Sequence, residues 1–170
     1  MRITDKNLYQ ISADKLAPEL LGMYLCRNIN GKILRYEITE TEAYCGESDT
    51  ACHAHKGKTP RTQIMYESGG KAYIYLCYGI HNLLNIVCEK ENTPHAVLIR
   101  GIRGFDGPGK LTKALNIDRS LNGEDLILSK KLWLEEKTTC YKFNVSKRIG
   151  IDYADENDKN KLWRFVIDES

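Results

Sequence analysis

Long apolar runs are absent from this sequence of 170 residues. No run approaches the ~18–20 apolar residues that a membrane-spanning helix needs, and the N-terminal stretch MRITDKNLYQ lacks the apolar core of a secretory signal. The six cysteines form no C-x-x-C pair. We therefore expect a soluble, intracellular protein that is not secreted, does not bind membranes and keeps its thiols reduced.

Strong net charge is also absent, since the formal net charge is only +2 at pH 7. Without an overwhelming basic field, any surface for a polyanion has to come from local clustering of Lys and Arg. Phe and Trp are few, with three and two residues, whereas there are ten Tyr. A Tyr ring offers a stacking face and a hydroxyl together, which suits a surface that grips a flat and polar partner.

The order of the predicted elements indicates an α+β fold in a single domain of residues 1–170. SADKLAPELLG predicts a short helix that tolerates Pro18 only near its first turn, and residues 23–44 predict a hairpin around Asn30-Gly31. The polar stretch 45–70 is long for a loop in a compact domain, which is typical of a functional or a disordered segment. Because the elements are mostly consecutive strands, they favour an antiparallel sheet over alternating βαβ units. The later predicted elements are two strands interrupted at YGIHN, a buried strand HAVLIRGI, a helix opened by GPGK, a strand in NGEDLILSKKLWL and a final strand pair in RIGIDY and KLWRFVI.

The segment EITETEAY contains two carboxylates and a tyrosine at alternate positions. Side chains alternate along a strand, so Glu40, Glu42 and Tyr44 are predicted to share one face. Such a face could form a general-base site, or it could be an ordinary solvated strand face. The segment alone does not decide between these interpretations.

The polar stretch carries a group of possible metal ligands and a group of cations. The spacing C-x6-C-H-x-H matches no standard zinc motif, so a zinc site built on Cys45, Cys52, His53 and His55 is the weaker hypothesis. The cations could contact phosphates or simply be solvated. They are Lys56, Lys58 and Arg61, with Lys71 nearby.

Three further features carry candidate binding groups. Tyr73 and Tyr75 point to one face of a strand, and Tyr78 stands just before Gly79 in a predicted turn, where an aromatic ring finds little core and is available for stacking. Arg100 ends the apolar run HAVLIR, so it either has a carboxylate or phosphate partner or extends its head to solvent. The GPGK segment could hold phosphate at a helix start, or could serve only as a turn.

Taken together and in order, these segments resemble the alkyladenine (3-methyladenine) DNA glycosylase family along nearly the whole chain. The ETEAY-to-TPR block and the YxYxxYGxHxxxN block are highly specific to that family. The resemblance implies a mostly antiparallel, curved sheet that resembles an open barrel, with a few flanking helices and a protruding hairpin. The matching segments are LAPELLG, ITETEAYCGESDTACHAHKGKTPRTQIMY, AYIYLCYGIHNLLNIV, AVLIRGI, GPGKLTKALNI, NGEDL, RIGI and LWRF.

The resemblance also implies roles for individual residues. Glu42 matches the residue that activates the attacking water, and Arg100 matches the arginine that positions the water and the nucleotide backbone. Tyr44 and His53 match the residues that sandwich the flipped base. The remaining matches are Tyr75 as another aromatic wall, Asn85 as the side chain that obstructs the amino group of guanine, and Tyr78 as the residue that intercalates into the duplex.

On this resemblance we expect a monofunctional enzyme of DNA base excision repair that flips out a damaged purine such as 3-methyladenine. Hydrolysis of the N-glycosidic bond would leave an abasic site, without a metal or cofactor. The partner would be double-stranded DNA containing damaged purines, bound by a monomer in a bacterial cytoplasm near the nucleoid, or in a eukaryotic nucleus. Phosphate contacts are expected from Lys56, Lys58, Arg61 and Lys110.

The sequence departs from the family after the strand HAVLIR. The family's Glu-Pro is replaced there, giving Gly101, Arg103 and Gly104, and the loop to GPGK is very short, as in compact bacterial members. Two alternatives stay open. One is a damage-binding module without turnover, for which a buried Glu42 beside anionic DNA has little use. The other is a zinc hydrolase built on the Cys and His residues of the polar stretch.

Overall fold

A computed structural model describes residues 1–170 and confirms the α+β prediction. Nine strands form one curled sheet in which every neighbouring pair is antiparallel, with the main order β3-β4-β5-β2-β1-β7. Short 3₁₀ helices fill the connections, and no helix combines the length and apolar composition that crossing a bilayer requires. The strands are β1 Tyr24–Ile29, β2 Lys32–Cys45, β3 Ala72–Cys77, β4 His81–Cys88, β5 His95–Ile102, β6 Phe105–Asp106, β7 Leu132–Glu135, β8 Phe143–Ser146 and β9 Arg164–Ile167, and the α-helices are α1 Ala13–Glu19, α2 Pro108–Ala114 and α3 Glu156–Lys159.

The long strand β2 organises the sheet because it changes partners along its length. Its first half pairs with β1 through the predicted turn, where Asn30 and Gly31 have φ angles of 50° and 90°. Its second half pairs with β5 on one side and β9 on the other, after a bulge beside Glu40. A bulge bends and twists a strand, so it curls the sheet at this point. Gly101 lies opposite the bulge, and a Cβ there would come within 2.9 Å of Thr39 Oγ1.

The main core lies between the sheet and the helices α1 and α2. Leu16 and Ala17 of α1 and Leu111 of α2 are fully buried in a cluster of 28 residues. Thr41 Oγ1 donates a hydrogen bond to the Ala17 carbonyl at 2.8 Å, so α1 is tied to β2 beside Glu42.

Pro18 occupies the last turn of the seven-residue helix, not its first turn. The helix is short enough that it ends directly after the proline, so little of its hydrogen bonding depends on the missing N–H.

The hairpin of β3 and β4 ends in an exposed tip. Three residues, 78–80, connect the paired Cys77 and His81, and Tyr78 and Gly79 have φ angles of 51° and 67°, so both adopt the left-handed conformation that tight hairpin turns use. Tyr78 is 89% exposed and Ile80 is 72% exposed. The tip therefore presents an aromatic and an aliphatic side chain to solvent, and the predicted interruption at YGIHN is confirmed.

The prediction of a strand in RIGIDY is wrong. Residues 148–153 form a loop of bends and turns, and the strand that pairs with β9 is β8, which ends at Ser146. Two features prevent an extended strand at this position: Gly150 has a φ of 74°, and the Arg148 side chain is bound to distant groups on β2 and its following turn. The polar turn after it contains the short helix α3, which Asp155 caps by accepting from the Asp158 amide.

Candidate functional site

A cavity of about 690 Å³ opens beside β2, β5 and the hairpin of β3 and β4. Its volume lies in the range of pockets that enclose small organic molecules. The polar stretch 45–70, the start of α2 and the loop that follows β8 complete its wall. Eight of the residues predicted to act on substrate or DNA line this cavity: Tyr44, His53, Arg61, Tyr75, Tyr78, Asn85, Arg100 and Lys110.

Glu42 lies directly behind the cavity wall and has no exposed surface. Its Oε1 accepts from the Tyr44 hydroxyl at 3.0 Å and from Arg100 Nη1 at 3.4 Å. Its Oε2 accepts from the Ile149 amide at 2.7 Å. Since Tyr44, Arg100 and Ile149 all line the cavity, one layer of side chains separates the carboxylate from it.

Burial raises the pKa of Glu42 above its ordinary value, because removal from water penalises the ionised form. The charge of Arg100 and the hydrogen bonds from the Ile149 amide and the Tyr44 hydroxyl oppose that effect. A carboxyl group with a raised pKa and three donors aimed at it is typical of a general base or of an electrostatic stabiliser.

Glu40 sits on the same face as Glu42 and contacts two cations. Its Oε1 accepts from Arg164 Nε at 2.6 Å and from Arg100 Nε at 3.3 Å. The predicted shared face of β2 is therefore confirmed, and it is not a solvated face, since only 14% of the Glu40 side chain is exposed. Glu40 binds Arg100 through Nε, whereas Glu42 is bound by Nη1, and Glu40 does not line the cavity.

Aromatic rings form the wall contributed by β3 and the polar stretch. His53 Nδ1 lies 2.9 Å from the Tyr73 hydroxyl, and the His53 ring centroid lies 4.4 Å from that of Tyr75. The Arg61 guanidinium lies over Tyr75, 5.2 Å from its centroid. Burial, and to a lesser degree Arg61, lowers the pKa of His53 to about 4. The imidazole is therefore neutral at physiological pH.

Asn85 is nearly fully buried at the base of this wall. Its Nδ2 donates to the Tyr73 carbonyl at 3.2 Å, which fixes the plane of the side-chain amide. A fixed amide that lines the cavity can discriminate between occupants by shape and by hydrogen bonding, because it cannot swing away from an unsuitable group.

The predicted phosphate-binding residues are spread around the cavity mouth and its flank. Lys56, Lys58, Arg61 and Lys110 are all exposed, and no carboxylate pairs with any of them. Arg61 and Lys110 also line the cavity. Exposed cations without acidic partners are available to an anionic ligand.

The four candidate zinc ligands do not converge. Cys45 Sγ lies 4.0 Å from Asp14, Cys52 Sγ lies 4.0 Å from the Pro94 carbonyl, and His55 Nδ1 lies 2.7 Å from the Glu47 carbonyl. His53 faces Tyr73 instead. No group of three or more His, Cys, Asp or Glu side chains is arranged to hold a metal ion, so the zinc hypothesis has no geometric basis.

Tyr73, which the sequence placed on one strand face with Tyr75, also lines the cavity. Three residues of the site were missed from the sequence. Tyr153 lines the cavity, and its hydroxyl donates to the Ala51 carbonyl at 2.6 Å. Ile149 supplies its amide to Glu42, and the neighbouring Arg148 donates to the Ala43 carbonyl. All three belong to RIGIDY, which was predicted as a strand. An arginine and a tyrosine flanking a glycine were the signal available for a turn at a functional site.

Comparison with known proteins identifies the family of this chain. The family model for methylpurine-DNA glycosylase matches residues 7–106 and 103–170. Three relatives carry the name "Putative 3-methyladenine DNA glycosylase". They come from Borreliella afzelii, at 45% identity over 96% of this chain and 95% of the relative, from Natranaerobius thermophilus, at 42% over 96% and 94%, and from Methanocella arvoryzae, at 40% over 97% and 92%. The resemblance noted in the sequence is confirmed: the chain belongs to the methylpurine-DNA glycosylase family.

Proposed function

We propose that this protein excises alkylated purines such as 3-methyladenine from double-stranded DNA by hydrolysing the N-glycosidic bond, with Glu42 as the general base. The observation that carries the proposal is the Glu42 carboxylate, buried one layer behind an aromatic cavity and bound by Tyr44, Arg100 and the Ile149 amide. Membership of the methylpurine-DNA glycosylase family and the names of the relatives support it.

Access to the glycosidic bond requires the damaged nucleotide to leave the duplex. Tyr78 at the exposed hairpin tip is suited to enter the helix and stack in the gap that the nucleotide leaves. Base–aromatic stacking of about 1–3 kcal/mol would offset part of the cost of unstacking. The cations Lys56, Lys58, Arg61 and Lys110 would bind the phosphates without reading the sequence. The protein is proposed to act as a monomer.

Selection of the base begins with charge. A purine alkylated at N3 or N7 is cationic, and the faces of Tyr44 and Tyr75 would favour it over a neutral base by about 0.5–2 kcal/mol. His53 fits this role because its lowered pKa keeps the ring uncharged. An imidazolium in the same position would repel a cationic base. Because that preference is modest, exclusion of normal guanine by the fixed Asn85 amide is needed as well.

The proposed chemistry is hydrolysis with no cofactor. Glu42 accepts a proton from water, the water oxygen forms a bond to C1′ of the sugar, and the bonding electrons of the C1′–N bond leave with the purine. The sugar develops oxocarbenium character, which the negative charge of Glu42 also stabilises. The Arg100 contacts to Glu42 and Glu40, at 3.4 and 3.3 Å, are long. A small movement of that guanidinium would therefore admit a water to the carboxylate.

The test is an excision assay on duplex oligonucleotides that each carry one defined lesion. Single-turnover reactions are split, and one half is treated with hot alkali. A monofunctional glycosylase gives strand breaks only in the alkali-treated half, and borohydride traps no covalent complex. A protein that binds the lesion duplex but releases no base at any enzyme concentration would be a damage-binding module, and the proposal would be wrong. Light scattering of the purified protein checks the monomer.

A further inference from the structure

Arg148 lies in the loop that supplies the Ile149 amide to Glu42, and its side chain is completely buried. Its guanidinium binds Asp49 in a two-pronged pair, with Nη1 to Oδ2 at 2.6 Å and Nη2 to Oδ1 at 3.0 Å. Nη2 also donates to the Asp158 carbonyl at 3.2 Å. Nη1 and Nη2 carry four of the five N–H groups of the guanidinium. Because both nitrogens are bound to fixed acceptors, the position of the guanidinium is tightly defined.

The same guanidinium contacts β2 on the C-terminal side of Glu42. Nη1 donates to the Ala43 carbonyl at 3.0 Å. The guanidinium carbon lies 5.0 Å from the centroid of the Tyr44 ring and equally far from that of Trp163. Arg148 therefore joins the loop that holds Glu42 Oε2 to the strand that carries Glu42 and Tyr44.

Asp49 completes the connection from the polar stretch. Its Oδ2 also accepts from the Cys45 amide at 3.0 Å and its Oδ1 from the Ala51 amide at 3.1 Å. The ion pair thus links the loop after β8 to the end of β2 and to the turn that follows it. A buried ion pair contributes little net stability compared with apolar side chains of the same volume, because desolvation offsets its attraction. What it does supply is a defined geometry at the site.

We propose that Arg148 and Asp49 are positioning residues for excision, which hold the Ile149 amide on Glu42 and the Tyr44 ring against the cavity. The inference rests on the proposed role of Glu42 as the base. Neither residue needs to touch the substrate, since each acts through Ile149 and Tyr44.

The consequence is a dependence of the reaction on pH. The Ile149 amide is one of the groups that oppose the rise in the Glu42 pKa caused by burial. If the loop loosens, that amide moves away, the pKa of Glu42 rises further, and the base becomes protonated at a higher pH. The acidic limb of the rate profile then moves upward. The titratable and charged groups that face Glu42 are Glu40 and Tyr44 on β2, Tyr75 on β3, Arg100 on β5, Arg164 on β9, and Arg148 and Tyr153 in the loop.

The experiment compares R148K and D49N with wild type and with a matched control, K161M. Lys161 pairs with Asp158 at 2.8 Å and lies over Trp163, so it belongs to the same layer without touching Ile149. We expect R148K and D49N to reduce the single-turnover rate at pH 7 by about tenfold, because the base is no longer held in place. Their acidic limb should move up by about one pH unit, since a hydrogen bond to a charged group is weakened. Binding of the lesion duplex should stay near that of wild type, and K161M should match wild type in all three measurements.

A measurement on the wild-type protein keeps the inference testable if these variants do not fold. In the NMR spectrum of the wild type, the Ile149 amide proton should resonate downfield and exchange slowly with solvent. In the spectrum of E42Q, the same resonance should move upfield. An Ile149 amide that exchanges as fast as an exposed loop would overturn the inference, as would R148K and D49N with an unshifted profile. An E42Q variant with full activity would instead overturn the proposed function, so the two failures are distinguishable.

Discussion

Substitution of Glu42 by Gln, compared with the same change at Glu40, separates the two carboxylates that share one face of β2. Glu42 is completely buried and binds the Ile149 amide and Tyr44, whereas Glu40 binds only cations, Arg100 and Arg164. If Glu42 is the base, Glu42→Gln should reduce excision by about 10²–10⁴-fold, the usual contribution of a positioned general base. A larger loss is expected if the charge also stabilises the sugar cation.

The structure indicates that Glu42→Gln should still fold. The Gln carbonyl can keep the Ile149 hydrogen bond, and its NH₂ can donate to the Tyr44 hydroxyl, which is able to reverse its role. The one conflict is between that NH₂ and Arg100, at a contact that is already 3.4 Å long. The substitution also removes a cost in stability. Burial raises the pKa of Glu42, so ionisation of this carboxyl costs free energy in the folded state, and a Gln side chain does not ionise. This cost grows as pH rises through the raised pKa, so removing the charge helps most at neutral pH. We expect the Tm to change by only a few degrees.

Glu40→Gln should cost far less activity. Its carbonyl can still accept from Arg164 and Arg100, although without the charge that draws both toward it. A loss of up to about tenfold would correspond to a less firmly held Arg100. Single-turnover excision and equilibrium binding are measured for both variants on one lesion duplex, with binding to E42Q expected to persist or tighten. Equal losses for the two variants, or an active Glu42→Gln, would refute the assignment of Glu42 as the base.

The positions of Tyr78, of the Cys and His side chains and of Glu42 lead to three further expectations. Tyr78→Ser should weaken binding of a lesion duplex by about 1–3 kcal/mol, the usual value of base–aromatic stacking, with little change in Tm because Tyr78 is 89% exposed; an unfolded variant would contradict this placement. Activity should survive dialysis against EDTA, because the Cys and His side chains of the polar stretch do not converge; a loss that zinc restores would point to the hydrolase alternative. The wild-type rate should fall on acidification through one limb that lies above the ordinary pKa of a glutamate side chain, because burial raises the pKa of Glu42. His53 should add no limb from about pH 5 to 8, since its pKa is lowered to about 4.

The parts of the fold that could be predicted are those fixed by local chemistry. Asn30-Gly31 accepts the positive φ angles of a tight turn wherever it occurs between two strands, and the alternation of Glu40, Glu42 and Tyr44 follows from strand geometry alone. The bulge beside Glu40 could not be predicted in the same way. It depends on which strands lie on either side of β2, and that is decided by the whole sheet.

The segment RIGIDY explains why part of the site was also missed. Its apolar residues alternate as they would in a strand, but the conformation is set by Arg148, whose partner Asp49 lies 99 residues away in sequence. No window of neighbouring residues contains that partner, so local periodicity predicts the wrong structure for it. Ile149 was missed because its contact with Glu42 is made by the backbone amide, which any residue other than proline could supply.

If Glu42 is the base, as proposed, its position lets one carboxylate serve both selection and chemistry. The charges of Glu42 and Glu40 are balanced by those of Arg100 and Arg164, so the Glu42 side of the cavity carries little net charge before a base enters. A cationic purine then adds a positive charge on the cavity side of the wall, which favours the ionised form of Glu42 at the moment when a base is required. A neutral purine provides no such charge. A lesion that is cationic should therefore move the acidic limb of the bound-state reaction to lower pH than a neutral lesion does. Parallel single-turnover profiles on duplexes that differ only in the charge of the lesion test this directly, and coincident limbs would show that the lesion charge does not reach Glu42.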